Sequence, residues 1–534
     1  MQMNWVKKLH ELYSYDSFIQ PQHKIVKDTV KGYDQLVILP TGSGKSICYQ
    51  LPAIVNEGFS IIISPLKALI KDQIDNLQKR DIPVLSFYGD TTKNEKELLA
   101  SEIYNHNNTY HLIYTTPETI ENNMQFRSYL DTLEHRNKLD RFVIDEAHCI
   151  SQWGNNFRPA YRGLAKIRDY YPTVPIMALT ATATPPVQDD IVKLLRFRKY
   201  KKYTKSYFRK NLDISIRYKS SPIKVHNRNV LNLILKEDFR NKSGIIYCQT
   251  RKKCEKLSEY LNENGLNTLA YHAGFSKKIR TETETSWKRN DVGIIIATIA
   301  FGMGIDKSDV RFVIHNDTPF SIESYYQEIG RAGRDNLPSK CILYYSDTDR
   351  LAGKKLIKYS FTQTLQYKTT KQEVKDHKKN LKRTIKLLDI FEGFCIDTTL
   401  CRHQQISTYL GEKNLESCKH SCDNCRKLPI VLKTINVSDI CFDIVTIIHL
   451  LQESAYKTNI VNTFKKQSRL IQKYNTPKNN MKRFEKCLTY LRLNKFIKER
   501  IIKLKGGYGS MCVYKLYEKA KQILDNNISI DIKI

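Results

Sequence analysis

One stretch near the amino terminus restricts the possible folds of this chain more than any other part of its sequence. The apolar run at 35–39, Gln-Leu-Val-Ile-Leu, leads into the turn Pro-Thr-Gly-Ser-Gly-Lys-Ser at 40–46 and then into a helical pattern. A buried strand followed at once by a glycine-rich turn and a helix is typical of parallel α/β sheets, whose strands need helical crossovers. The sequence therefore predicts an α/β fold whose first strand ends at this turn.

The turn itself has the composition of a phosphate-binding loop. Its backbone N–H groups and the amino terminus of the next helix converge on one point, which favours a bound phosphate. We expect the Lys45 ammonium to bind the β- and γ-phosphates of a nucleotide and the Ser46 hydroxyl to ligate Mg²⁺. The residues predicted to contact the nucleotide here are Thr41, Gly42, Ser43, Gly44, Lys45 and Ser46. Upstream, the Gln22 amide offers one donor and one acceptor, which match the N6 and N7 edge of adenine.

Two acids follow another buried strand. The apolar residues 142–144 precede Asp145 and Glu146, so both carboxylates are expected at the carboxyl end of a strand, where open α/β sheets bind ligands. Asp145 would hold Mg²⁺ on the nucleotide, and Glu146 would polarise the attacking water. The pair therefore predicts hydrolysis of a nucleoside triphosphate.

Planar side chains stand shortly after these acids. Trp153, Phe157 and Arg158 lie on a loop that also carries glycine and asparagine, and such groups stack on unpaired bases. One segment would thus contact ATP at one end and nucleic acid at the other, which suggests that binding and hydrolysis are coupled.

The charge balance also favours a polyanionic partner. Lys and Arg number 87 against 55 Asp and Glu, an excess of 87 − 55 = 32 positive charges. Alternatively, a coding bias towards lysine could supply part of this charge, on surfaces that contact only solvent. No stretch reaches the ~18 apolar residues of a membrane span, and residues 1–16 lack a signal-peptide core. We expect an intracellular protein of the nucleus or cytoplasm, not a secreted one.

A second set of strand patterns follows a basic stretch. Residues 198–203 alternate Arg or Lys with Tyr and are interpreted as a linker between two lobes. The predicted strands beyond it begin near residues 244, 269, 294 and 312, and they imply a second parallel sheet without a phosphate loop. From this sheet, Arg331 and Arg334 would reach across a cleft to stabilise charge on the transferring phosphoryl group.

Four cysteines cluster beyond the second sheet. Cys401 is followed by Cys418, Cys422 and Cys425, a spacing that suits a closed tetrahedral Zn²⁺ site of structural type. The nearby alternatives for a ligand are Cys395 and His420.

The carboxyl-terminal part indicates a small helical unit that ends in a hairpin. Met481, Phe484, Leu488 and Leu491 fall at helical spacing, and the apolar-rich strands 496–504 and 511–516 flank a glycine-rich tip, a pattern that a winged helix would show. Tyr508 at the tip is either a wedge between base pairs or an exposed tyrosine without a role.

The order of these motifs resembles that of superfamily 2 helicases, and among them the RecQ family of DNA helicases. The Asp-Glu-Ala-His box at 145–148, its continuation Cys-Ile-Ser-Gln-Trp-Gly at 149–154 and Phe-Arg-Pro at 157–159 are similar to that family's acid box and aromatic-rich loop. The cysteines with Tyr-Leu-Gly-Glu at 409–412 are similar to its zinc region. In the family, the aromatic-rich loop senses single-stranded DNA and switches on hydrolysis.

The resemblance adds residues to the predicted site. It implies that Tyr15 joins Gln22 in the adenine pocket and that Gln327 takes part in catalysis, and residues 296–306 resemble the motif that precedes arginine fingers. The chain departs from the family in two places. Ile19 stands where an arginine is usual, and Asn155-Asn156 where a His-Asp pair is usual.

The resemblance implies two RecA-like parallel-sheet lobes followed by a helical zinc-binding unit and a winged-helix domain. The expected bounds are 1–205 for the ATP-binding lobe, 206–346 for the second lobe, 347–428 for the zinc unit and 429–534 for the winged helix. The implied activity is ATP-dependent unwinding of duplex DNA by 3′→5′ movement on single-stranded DNA, with ATP, Mg²⁺ and Zn²⁺ as cofactors.

Two alternatives remain open: an RNA helicase of the same superfamily, or a non-catalytic DNA-binding or strand-annealing protein. The zinc unit, the winged helix and the aromatic-rich loop favour DNA. The residues Lys45, Glu146, Gln327 and Arg334 favour an active motor.

Overall fold

The structure, a computed structural model, describes residues 4–105, 109–151, 159–237, 239–302, 307–367, 370–413, 415–427, 434–467, 477–503, 510–525 and 528–533. Internal contacts divide the chain into two units. The first comprises Met1–Phe391 with Cys401–Arg426, and the second comprises Glu392–Leu400 with Lys427–Ile534. Among the helices of these described ranges, none combines the length and the apolar character that crossing a membrane requires.

The first unit begins with a parallel sheet. Its strands are β1 (Asp34–Ile38), β2 (Phe59–Ile63), β3 (Leu85–Phe87), β4 (Leu112–Thr115), β5 (Leu139–Ile144), β6 (Ile176–Thr180) and β7 (Tyr200–Thr204). Within the described residues they pair in the order β3-β4-β2-β5-β6-β1-β7, every pair parallel. The helices around this sheet are α1 (Trp5–Tyr13), α2 (Gln22–Val30), α3 (Ile47–Val55), α4 (Lys67–Gln78), α5 (Lys93–Tyr104), α6 (Pro117–Asn122), α7 (Met124–His135), α8 (Pro159–Gly163), α9 (Ile167–Tyr170) and α10 (Pro185–Leu194).

The central strands of this sheet are buried on both faces. All five residues of β1, β2 and β6 are buried, and Val37, Ile62 and Leu179 belong to one apolar core with side chains of the flanking helices. Continuous apolar runs are typical of parallel strands covered on both faces. The predicted first sheet is therefore confirmed.

The composition of the basic stretch 198–203 suggested a linker, but this prediction was wrong. Residues 200–204 form the edge strand β7, which pairs in parallel with β1 from Asp34 to Ile38. Tyr203 is buried and its hydroxyl donates to the Asp28 carboxylate, whereas the lysines between the tyrosines face solvent. Exposed lysines protect an edge strand from pairing with other chains, so the charge run marks an edge strand and not a connection. The segment that joins the two sheets is 205–211.

A second parallel sheet follows in the same unit. Its strands are β8 (Leu212–Tyr218), β9 (Gly244–Tyr247), β10 (Thr268–Tyr271), β11 (Ile294–Ala297), β12 (Phe312–His315) and β13 (Ser339–Tyr345). In the described part of the chain their order is β10-β11-β9-β12-β13-β8. The associated helices are α11 (Ile223–Lys236), α12 (Arg251–Glu263), α13 (Lys277–Lys288) and α14 (Ile322–Ile329). The predicted second lobe is thus confirmed.

Helices carry the chain from the second sheet to the cysteines. They are α15 (Asp347–Leu365), α16 (Lys371–Ile396), α17 (Arg402–Tyr409) and α18 (Asp423–Arg426). Two buried acids tie the first of them to the second sheet, because Lys219 and Lys253 both bind Asp317 and Asp349.

The second unit has its own core. Its elements are β14 (Thr434–Asn436), α19 (Ser438–Leu451), α20 (Lys457–Gln467), α21 (Pro477–Leu493), β15 (Ile497–Lys503), β16 (Ser510–Leu516), α22 (Lys521–Leu524) and β17 (Asp531–Lys533). Phe484, Leu488 and Leu491 enter this core from α21, as their spacing predicted. β15 and β16 form the predicted antiparallel hairpin. The side chain of Met481 and the hairpin tip with Tyr508 lie outside the described residues, and the winged-helix assignment stays a prediction.

Candidate active site and cysteine cluster

The predicted site residues of the first sheet gather at one edge. β5, β6 and β1 are neighbours in the sheet and run parallel. The loop 40–46 and the acids 145–146 lie just beyond the carboxyl ends of β1 and β5. Thr180 ends β6, and Thr182 follows two residues later. Parallel strands bring their carboxyl ends to the same edge, which is where ligands bind in open α/β sheets.

The glycine-rich loop is held from behind by Gln22. The buried Gln22 amide donates to the carbonyl oxygens of Ser43 (3.1 Å) and Gly44 (3.0 Å) and accepts from the Ile19 N–H (2.8 Å). Gly44 has φ +67°, and a Cβ there would lie 2.4 Å from Gln22 Nε2. Glycine is required here both by the left-handed backbone and by the close approach of the amide.

Lys45 lies partly buried at this edge. Its ammonium donates to the Leu39 carbonyl oxygen at 3.2 Å. Burial lowers the pKa of Lys45, and the charges of Glu146 and Asp145 offset part of that effect. The two carboxylates thus favour the charged form of Lys45, as the charges of a polyphosphate would.

The two acids have opposite pKa shifts. Burial, with the neighbouring Glu146 charge, raises the pKa of Asp145 to about 7. Burial also raises the pKa of Glu146, but the interaction with His148, and then the charges of Lys45 and Arg331, outweigh burial and leave the pKa below its ordinary value. His148 Nδ1 lies 3.1 Å from Glu146 Oε2. Glu146 is consequently held in its charged form.

A chain of contacts leads from this acid to the second sheet. His148 Nδ1 is 2.9 Å from Thr180 Oγ1, which accepts from the Thr182 N–H at 3.2 Å. Gln327, on α14 of the second sheet, donates to Thr182 Oγ1 at 2.9 Å. The sequence motifs did not single out a role for His148, although a histidine two residues after an acid was a usable signal.

Two arginines of the second lobe reach the same edge. Arg331 is buried, and its charge is one of those that lower the pKa of Glu146. The Arg334 side chain packs on the loop, with its Cγ 3.4 Å from the position of a Cβ on Gly42, and its charge acts on Lys45. Cations of the second lobe thus lie beside both the loop and the acids of the first.

Of the remaining predicted residues, the structure describes some and not others. Tyr15 is exposed and stacks on Tyr13 with ring centroids 6.5 Å apart, and Ile19 is also exposed. Ser46 immediately precedes α3, at the end of the loop. The residues Trp153, Asn155, Asn156, Phe157 and Arg158 lie outside the described residues. Ser151, which directly precedes them, donates to the Asp190 carboxylate of α10 at 2.7 Å.

The four cysteines of the predicted metal site come together. The Sγ atoms of Cys401, Cys418, Cys422 and Cys425 all lie within 4.8 Å of one another. Thiolates about 2.3 Å from one tetrahedral ion lie about 3.8 Å apart, so the donor set and its spacing fit such an ion. This group includes neither of the alternative ligands Cys395 and His420, and His420 is exposed.

The cluster is attached to the edge strand of the second sheet. Asp423 accepts from Arg402 Nε at 2.9 Å and from the Ile216 N–H at 3.3 Å. His403 Nε2 lies 3.1 Å from the Leu212 carbonyl oxygen. The cysteine region comprises residues 401–426. Because β8 carries both Leu212 and Ile216, the cysteine region packs directly against the second lobe. No pattern in the sequence had indicated this role for Asp423 or His403.

Known families match along most of this chain. Residues 19–191 match the DEAD/DEAH box helicase family, 226–336 the helicase conserved C-terminal domain and 349–426 the RecQ zinc-binding family. The first match includes six of the seven strands described for the first sheet and the second includes four of the six strands described for the second sheet, and both are helicase families.

Relatives narrow the class. The RecQ-like DNA helicase blm-1 of Caenorhabditis elegans is 37% identical over 451 residues, which are 83% of this chain and 44% of that protein. The ATP-dependent DNA helicase RecQ of Haemophilus influenzae is 37% identical over 79% of this chain and 63% of its own length. The chain therefore spans less than two thirds of these relatives. The zinc-binding match and these relatives bear out the resemblance to the RecQ family that the motifs predicted.

The solved structures agree at the level of fold. The Mycobacterium smegmatis helicase Lhr, in complex with single-stranded DNA and AMP-PNP, has a TM-score of 0.53 at 16% identity. The match covers 97% of this chain and 61% of that one. The likeness supports the two-lobed helicase fold.

Proposed function

We propose that this protein is an ATP-dependent DNA helicase of RecQ type, which moves 3′→5′ along single-stranded DNA and unwinds duplex DNA in recombination, repair or replication. One observation carries the proposal: Gln327, Arg331 and Arg334 of the second lobe meet the loop and acids of the first lobe at one edge. A site completed only by both lobes ties nucleotide hydrolysis to their closure. The substrate implies action on DNA inside the cell.

The first lobe would hold the nucleotide. Residues 41–46 surround the phosphates, with the Lys45 ammonium on the β- and γ-phosphates, and Tyr15 with Gln22 contacts the adenine. The Ser46 hydroxyl and the Asp145 carboxylate are oxygen donors of the kind that Mg²⁺ prefers, and they would hold it on the nucleotide. Bound Mg²⁺ would offset phosphate charge. Glu146, held ionised, would accept the proton of the attacking water.

The second lobe would complete the site. Arg331 and Arg334 would stabilise the charge on the transferring phosphoryl group, an effect of about 10³–10⁵ in rate. Gln327 would report the state of the nucleotide through Thr182, its hydrogen-bond partner in the first lobe. Opening after hydrolysis would then shift the bound strand by one step.

DNA would contact the aromatic-rich loop and the second unit. Trp153, Phe157 and Arg158 would stack on unpaired bases, and Tyr508 would separate base pairs at the fork. The names of the relatives support DNA over RNA as the substrate. The excess of 32 positive charges suits either nucleic acid.

The cysteine cluster would hold Zn²⁺ in a structural role. Four thiolates form a closed site, which leaves no coordination position for a substrate. We retain the four-domain division at residues 205, 346 and 428 as part of the proposal.

The proposal is tested by measuring phosphate release from ATP with single-stranded DNA, with RNA and without nucleic acid. We expect strong stimulation by DNA and unwinding of a duplex with a 3′ tail but not of one with a 5′ tail. Lys45→Ala should abolish hydrolysis, whereas Lys93→Ala, at a lysine with 89% of its side chain exposed, should not. Stimulation by RNA but not by DNA would favour the RNA helicase alternative, equal stimulation by both would leave the substrate open, and no stimulation would favour a non-catalytic binding protein.

A further inference from the structure

The segment between the two sheets is held by the cysteine region. The Tyr207 N–H donates to Glu412 Oε2 at 3.1 Å, and the Tyr207 carbonyl oxygen accepts from Tyr326 Oη at 2.9 Å. The two tyrosine rings meet edge to face with centroids 5.7 Å apart, and both are buried. A residue of the cysteine region, a residue of the interlobe segment and a residue of α14 therefore form one chain of contacts.

The same turn of the cysteine region also holds the start of α14. Tyr409 Oη donates to Glu323 Oε1 at 2.7 Å, and Glu323 is only 7% exposed. Arg383 of α16 interacts electrostatically with Glu323, Tyr409 and Asp190. Burial lowers the pKa of Arg383 to about 10, and these three groups partly oppose that shift. Asp190 is the acceptor of Ser151, at the base of the aromatic-rich loop.

A third contact of this turn is with the first lobe. Gly411 has φ +94°, and a Cβ there would lie 2.7 Å from Pro185 Cγ. Pro185 begins α10, three residues after Thr182, which accepts the hydrogen bond from Gln327. The turn 409–412 thus contacts the first lobe, the interlobe segment and the second lobe within four residues.

These contacts bear on catalysis through α14. Glu323 and Tyr326, the two residues held from the turn, lie four positions and one position before Gln327 on the same helix. A helix transmits a displacement of one turn to the next, and a misplacement of about 1 Å in a site costs about 10²-fold in rate. Arg331 and Arg334 lie two and five residues beyond the end of this helix at Ile329.

We propose that Tyr409 and Glu412 are positioning residues for ATP hydrolysis, which set α14 and the interlobe segment so that Gln327 and the arginines meet the first lobe. The inference rests on the proposed function. Neither residue contacts the nucleotide edge, so both act through Glu323, Tyr207 and Tyr326. The cysteine region is then part of the motor and not only a support for DNA binding.

The test uses the full chain and compares conservative with disruptive variants. Tyr409→Phe removes one hydroxyl, Glu412→Ala removes the acceptor, and Glu412→Gln keeps an acceptor oxygen. The matched controls are Tyr359→Phe, at a tyrosine that is 66% exposed on α15, and Glu416→Gln, at an exposed acid of the same region. For each protein we would measure kcat and KM for ATP with saturating single-stranded DNA, the zinc content and the melting temperature.

We expect kcat to fall about 10-fold in Tyr409→Phe and in Glu412→Ala, the equivalent of one charge-assisted hydrogen bond lost from the catalytic arrangement. KM for ATP should stay within about twofold, because the nucleotide loop is untouched. Glu412→Gln should recover most of kcat, and both controls should match the wild type.

Two results would overturn the inference while leaving the proposed function intact: variants with wild-type kcat, or a loss of kcat that follows a loss of zinc or a lower melting temperature. A wild-type protein without DNA-stimulated hydrolysis would instead refute the proposed function and the inference together.

Discussion

At the scale of single residues, buried polar groups of the candidate site are held by the chain itself. Lys45 is balanced by two acids, and Glu146 by His148. The Gln22 amide is the clearest example, because it forms hydrogen bonds with backbone groups of the loop and of Ile19. The amide therefore shapes the loop before any adenine is bound.

Replacement of Gln22 tests this bracing role. We expect Gln22→Ala to raise KM for ATP about 10-fold, because three hydrogen bonds of a buried amide are lost and the loop is no longer fixed. Steady-state kinetics with ATP and with GTP would check this. If KM rose for ATP but not for GTP, the amide would recognise adenine. If KM rose equally for both nucleotides, the amide would brace the loop. Gln20→Ala, at an exposed amide, is the control, and an unchanged KM in Gln22→Ala would contradict the role.

At the scale of elements, the sequence was informative where strands are buried on both faces and end in a functional turn. Thus β1 with its loop and β5 with its acids were predicted, as was the cysteine group. The edge strand β7 was not, because a strand with one buried tyrosine carries no apolar run. Contacts such as Tyr207 with Glu412 join residues 205 positions apart, and no local pattern reports them.

An ion network ties the loops after β8 and β12 to α12 and α15. Asp317 binds Lys219 at 2.7 Å and Lys253 at 2.6 Å, and it is 3% exposed. Burial raises the pKa of Asp317, but the two lysines outweigh burial and hold the pKa well below its ordinary value. The stabilisation is therefore fully present above the ordinary carboxyl pKa of about 4, and it is lost as the pH falls through the lowered value.

We expect Asp317→Asn to lower the free energy of unfolding of the second lobe by about 3 kcal/mol at pH 7, because Lys219 and Lys253 would then share the single carboxylate of Asp349. The difference from the wild type should narrow below about pH 4. Urea denaturation followed by the fluorescence of the buried Trp287 would check this, in a background with Trp5 and Trp153, the other two of 3 tryptophans, replaced by Phe. Asp291→Asn, at an exposed acid, is the control, and a difference independent of pH would contradict the assignment.

At the scale of the whole molecule, the cysteine cluster is packed into the first unit. Its residues bond to β8 at Leu212, Ile214 and Ile216, and the turn 409–412 reaches both lobes. A metal ion bound by these cysteines would therefore stabilise the unit that carries the candidate nucleotide site, and its loss should affect hydrolysis.

We expect Cys422→Ser to remove the bound zinc, lower the melting temperature by several degrees and reduce DNA-stimulated hydrolysis, because a structural metal site contributes directly to folding. Cys422 lies at the junction with β8, where it forms a bridge with Ile214, so the disturbance begins in the edge strand of the second sheet. Zinc content by metal analysis, thermal melting and phosphate release would be measured on the same preparation. His420→Ala, at the exposed alternative ligand, should keep its zinc and its activity. The cysteine cluster contacts the second lobe directly. A variant that lost zinc yet hydrolysed ATP at the wild-type rate would therefore contradict the prediction that the cluster affects hydrolysis.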